Sequence, residues 1–191
     1  MKQILCILFV LGLSSQSLLA QEKPKSELAA SFTTGLYEAR NAVGDGSGIK
    51  LSYRTFFKNP KFQLERNFLI ANQRNGFANG VRIEEFAAIT AQVVVNYDFA
   101  RLGPVRFGLY AGPSISSAQG TRRRGAIGTN GGFEIREIKT NEFYAALGFG
   151  LQLRVGDYDS KYGLMIAVPN TQLGTGDLYE LTFSAGVWIK L

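Results

Sequence analysis

Histidine is absent from the 191 residues of this chain, cysteine occurs once and proline five times. No apolar run reaches the length of a membrane-crossing helix. Each absence excludes something. Without histidine there is no Ser-His-Asp or Cys-His nucleophile system, no histidine-bearing metal site and none of the commonest general base. Cys6 stands inside an apolar stretch rather than after a small-residue box at its end, so neither lipid attachment nor disulfide chemistry is expected of it. A carboxylate-only mechanism needs a converging Asp/Glu pair, and the adjacent Glu84 and Glu85 point to opposite faces of a strand. The expectation is a non-enzyme with no catalytic residue, no cofactor and no metal.

The longest apolar stretch, 4–13, is well short of the roughly 20 residues that a spanning helix needs, so any membrane span must be made of strands. That stretch follows Lys2 and precedes a small, polar run ending at Ala20, the pattern of an export signal over 1–20 cleaved after Ala20. Residues 21–27, polar and carrying Pro24, are expected to be a flexible leader, and 28–191 a single domain. The formal net charge of +6 is scattered along the chain rather than gathered into a stripe, which argues against nucleic acid as a partner and for anionic lipid head groups.

What the sequence has in quantity is glycine (22 residues), aromatic side chains (12%) and strict alternation. In 48–57, Ile49, Leu51, Tyr53, Thr55 and Phe57 share one face, while Lys50, Ser52, Arg54 and Phe56 share the other. Period two of this kind marks a strand with one apolar and one polar face. The pattern recurs in 28–40, 62–73, 89–99, 105–115, 143–155, 162–168 and 179–191, giving eight candidate strands. Connections after the second, fourth and sixth are short; the others are longer, the longest over about 119–141. Short turns on one rim and long loops on the other is the asymmetry of outer-membrane barrels.

Alternation leaves open which face points outward, and volume decides. An eight-stranded barrel has an interior just wide enough for its own side chains or one small ligand. The Phe, Leu, Ile, Val and Tyr faces would overfill it; the faces of Gly, Ala, Ser and charged residues suit it. The expected fold is all-β: a closed antiparallel transmembrane β-barrel of about eight strands in an up-and-down meander, placed in a bacterial outer membrane. A soluble lipocalin-like carrier, with its apolar face inward, is the alternative.

The exported leader, the 105–115 strand with Gly112-Pro113-Ser114, the polar Gln63-Leu64-Glu65 of the third strand and the final alternating strand together resemble the outer-membrane β-barrel family that includes PorT. The resemblance covers about 28–191. It implies an eight-stranded barrel and, for PorT-like members, association with type IX secretion. The chain departs from the usual pattern in ending on Leu191 rather than an aromatic residue, and in placing Arg66 at an outward position. An arginine facing lipid at mid-depth costs about 2–4 kcal/mol. Either a bulge resets the register there, or Arg66 sits near the interface.

Two groups are candidate sites. Arg122, Arg123 and Arg124 fall in the longest connection, beside glycines. They are expected either to be a solvated loop tip or to contact lipopolysaccharide phosphates or an acidic envelope partner, because guanidinium groups grip phosphate with two parallel bonds. Lys50, Arg54, Arg106, Arg154 and Lys190 on inward faces are expected to meet Glu65, Asp98 and Glu180 as a salt-bridged plug. A narrow, anion-preferring pore is the competing outcome. Pro113 is expected to mark a bulge or a strand end.

Overall fold

A computed structural model describes residues 25–39, 42–76, 83–127 and 133–191. The expected signal 1–20 and most of the leader lie outside the described residues. Eight strands, β1 (Ser26–Ala39), β2 (Ala42–Phe56), β3 (Phe62–Gly76), β4 (Ile83–Leu102), β5 (Val105–Ile127), β6 (Phe133–Val155), β7 (Tyr162–Gly174) and β8 (Tyr179–Lys190), pair antiparallel in sequence order. β8 closes on β1 from Glu27↔Lys190 to Glu38↔Tyr179, so the sheet has no edge. Closure gives every strand two partners, the one way a sheet satisfies its backbone groups where no water reaches.

The alternation determines the faces as expected. Phe32, Ile49 and Val187 point outward and are each more than half exposed, whereas the inward Arg54, Glu65, Arg106 and Arg154 are at most 3% exposed. This is the reverse of a soluble carrier barrel, whose apolar side chains line the cavity. On the outside, Phe62 stacks on Tyr97 at 4.7 Å near the short-turn rim.

The strands run further than their apolar stretches. β5 and β6 pair without interruption from Val105↔Val155 to Ile127↔Phe133, so the expected loop over 119–141 is mostly paired strand. Backbone ladder bonds need no apolar side chains, and polar residues continue a hairpin once its register is set. Arg122, Arg123 and Arg124 accordingly lie on β5, opposite Ile138, Glu137 and Arg136, and not at a loop tip. The short connections are as expected, at 57–61, 103–104 and 156–161. In the tightest, Gly103 takes φ +56°, a left-handed conformation that glycine adopts without strain.

Four other expectations need correction or are resolved. β1 begins at Ser26, so Ser26 and Glu27 belong to the barrel and not to the leader. β7 does not stop at Val168: between Ala167 and Asn170 it carries one residue more than both β6 and β8, a bulge containing Pro169, whose missing N–H suits an unpaired position. The bulge flips the parity, so that Met165 and Ala167 face inward before it and Asn170 and Gln172 after it, which breaks the alternation seen in the sequence. Pro113 makes no bulge, since the register from Gln92↔Ser114 to Val95↔Ala111 is unchanged across it. β3 pairs continuously with β2 and β4, so nothing resets the register at Arg66; it points outward, opposite Tyr53 and Val93.

Candidate functional site: a charged and filled lumen

Whereas Lys190 turns to the rim and donates to the Tyr158 carbonyl at 2.7 Å instead of meeting an interior carboxylate, seven of the expected interior charges are buried inside the barrel: Lys50, Arg54, Glu65, Asp98, Arg106, Arg154 and Glu180. The alternation that turns apolar residues outward places them there. They do not form one uniform cluster.

Toward the short-turn rim, Arg54 donates to Glu65 through Nε (3.0 Å) and also through Nη2, and reaches Gln152 Oε1 at 2.7 Å. Asn96 adds a second donor to the Glu65 carboxylate at 3.1 Å. Arg154 pairs with Glu27, whose carboxylate also lies 3.8 Å from Arg54. Glu27 thus joins the first strand to the second and, across the lumen, to the sixth.

A second group closes the rim itself. Asp98 accepts from Gln63 (3.1 Å), from Arg106 (3.4 Å) and from the Tyr158 hydroxyl (3.0 Å). Burial and the neighbouring Asp98 charge raise the Tyr158 phenol above its ordinary pKa, keeping its proton available for that bond. The Arg106 guanidinium lies 4.4 Å from the Tyr158 ring, and that of Arg154 lies 4.7 Å from the Trp188 ring. The indole fits because β7 and the sixth turn offer no side chain beneath it. A Cβ added to Gly163 or Gly156 would come within 2.5 or 2.6 Å of a Trp188 ring carbon.

Toward the long-hairpin end, Glu180 accepts from Gln172 (2.9 Å), which in turn accepts from Ser114 (2.6 Å). Lys50 forms no ion pair among the described residues; Glu65 and Glu180 are the carboxylates whose charge reaches it. The mouth above is apolar. Tyr37 packs on Phe86 at 5.3 Å and on Tyr144 at 6.4 Å, and Leu178, from the turn between β7 and β8, folds in against them.

Two features decide what this lumen can do. The buried ionisable groups are four basic (Lys50, Arg54, Arg106, Arg154) and four acidic (Glu27, Glu65, Asp98, Glu180), so the described interior has no formal excess of one sign. The space left between Thr33, Gly48, Leu69 and Thr182 is about 10 Å³, room for a single water. A larger cleft, about 780 Å³, opens at the long-hairpin end, where an exposed Arg74–Glu85 pair (2.7 Å) borders Asp45, Asn72 and Gln119.

Sequence reasoning missed Glu27 by assigning it to the leader, although its parity with Ala29 and Ser31 continues the β1 pattern. Trp188 shares the inward parity of β8 with Glu180 and Ser184, but no local pattern places it in the rim group. Of Arg122, Arg123 and Arg124 the structure describes the strand positions in β5 and not the side chains.

No known protein family matches the sequence, and no curated protein does. Solved structures of similar fold include Ail, the attachment invasion locus protein of Yersinia pestis, at 13% identity and TM-score 0.54, covering 89% of this chain and all of that one. Neisserial surface protein A is similar at 14% identity and TM-score 0.56 (87% and 97% covered). A major outer membrane protein from Thermus thermophilus matches at 13% and 0.51 (87% and 99%). At such identities the likeness is one of fold.

Proposed function

We propose that the chain is a non-enzymatic outer-membrane barrel with a structural or interaction role, exported by a cleaved signal over 1–20 and presenting its long hairpins outside the cell. The observation that carries this reading is the pairing of an apolar, exposed outer face with a filled, charge-balanced lumen. A closed sheet with that outer face is stable in hydrocarbon and would aggregate in water. The outer-membrane barrels of similar fold support the same placement.

The interaction surface in this reading is the β5–β6 hairpin, which continues well beyond the apolar belt and carries Arg122, Arg123 and Arg124. These would meet lipopolysaccharide phosphates or an acidic envelope protein, and the PorT-like resemblance suggests a secretion accessory as one such setting. An anion-preferring pore finds little support in a lumen with balanced charge. The test is a planar bilayer. The refolded protein is expected to insert without unitary current steps; reproducible, anion-selective steps would overturn the filled-lumen reading.

A further inference from the structure

The outer face of the β2–β3 hairpin holds a charged side chain between apolar neighbours along its strand. Arg66 is flanked on β3 by Leu64 and Phe68 and faces Tyr53 and Val93 across the ladder. Its guanidinium is drawn toward the short turn: Nη1 donates to Thr55 Oγ1 at 3.3 Å, and Thr55 is opposite Leu64, nearer the turn than Tyr53. The Tyr53 ring backs it, 5.8 Å from Cζ. The long side chain thus carries its charge from the middle of the outward row of β3 toward the interface at the short turn. Directly below, the 57–61 turn exposes Lys58 and Lys61 between the exposed rings of Phe57 and Phe62. Glu65 is the only carboxylate between positions 53 and 66, and it faces the lumen.

We propose that Arg66, with Thr55, Lys58 and Lys61, forms a binding site for the phosphate head group of an anionic phospholipid in the leaflet at the short-turn rim. The planar guanidinium fork matches phosphate oxygens, the lysines add positive charge on the water side of the phosphate, and the acyl chains lie along the deeper Phe68 and Leu51. The inference rests on the membrane-spanning reading above. It also gives Arg66 a role at a position where an apolar residue would be cheaper in lipid.

The test refolds the protein into phosphatidylcholine vesicles containing phosphatidylglycerol, confirms insertion by flotation, and counts retained lipid by native mass spectrometry after transfer to mild detergent. The intact barrel is expected to retain phosphatidylglycerol in preference to phosphatidylcholine. In Arg66→Leu that retention falls about tenfold, the loss of one charge-assisted fork. Arg66→Lys, a point charge without the fork, falls between, and Lys58→Gln with Lys61→Gln weakens retention while leaving the belt untouched. Equal retention by the intact barrel and by Arg66→Leu overturns the proposal, as does retention without head-group preference. Full displacement by excess inorganic phosphate overturns the assignment to a lipid. A barrel that does not float with vesicles contradicts the membrane reading itself, and the two failures are told apart by that step.

Discussion

Glu27→Ala is expected to lower the unfolding free energy of the barrel by about 3–5 kcal/mol, the range for removing one partner of a buried ion pair. Arg54 keeps Glu65 in this variant, but Arg154 loses the one carboxylate it pairs with among the described residues and retains the Trp188 ring as its nearest charge-stabilising neighbour. The cost comes from leaving a guanidinium buried without an anion, so removing that guanidinium as well recovers much of it. The double variant Glu27→Ala with Arg154→Met is expected to be more stable than Glu27→Ala alone, giving a coupling energy well above additivity. Urea titration in lipid vesicles measures this, and Trp188, the single tryptophan and a direct neighbour of Arg154, reports it by fluorescence. Additive effects would mean that the Glu27–Arg154 pair contributes little.

The second large effect lies on the outer face. Phe149→Arg puts a charge midway along the apolar outward row 143–155 of β6, on a side chain that is 40% exposed and neighbours Ala111 and Thr171 across the ladders. In a bilayer this costs about 2–4 kcal/mol, and the same change at Tyr162, at the short-turn rim, costs about 0–1 kcal/mol. The depth dependence is the informative part. A soluble barrel would tolerate arginine at both positions, since both are exposed, and equal tolerance in the folded state would count against lipid contact.

How much of this was readable in the sequence depends on which physical signal carried each feature. Alternation gave both faces of the strands correctly, including the inward placement of Lys50, Arg54, Arg106 and Arg154, because side-chain direction in a strand has period two and depends on nothing distant. Strand length was underestimated wherever the apolar face stopped before the ladder did, as in β5 and β6, where pairing continues through Arg122, Arg123 and Arg124. Apolar periodicity reports the depth of the belt, not the reach of the hydrogen bonds.

Other misses have local causes. The β7 bulge at Pro169 reverses the parity, so a strict period-two reading ended at Val168. Pro113 misled in the other direction: it removes one donor to the ladder without adding a residue, and the register passes it unchanged. Glu27 was hidden by its polar neighbours and Pro24, although burial in the lumen is what a charged residue at that parity requires. The partners of each interior charge were beyond the sequence altogether. Which arginine meets which carboxylate depends on how closure brings β6 across from β1, a contact between residues 27 and 154 that no local pattern encodes.

The measurement that tests the arrangement most directly is an accessibility scan of β6 in lipid vesicles, with single cysteines at positions 143–155 in a Cys6→Ser background, each carrying a nitroxide label. Labels at odd positions, Phe143 through Val155, are expected to be reached by oxygen dissolved in the bilayer and shielded from a water-soluble nickel chelate. Those at even positions, from Tyr144 to Arg154, are expected to be immobilised in the packed lumen and shielded from both. A scan in which the odd positions meet water, or in which the period of two is missing, would contradict a lipid-facing barrel with a filled interior.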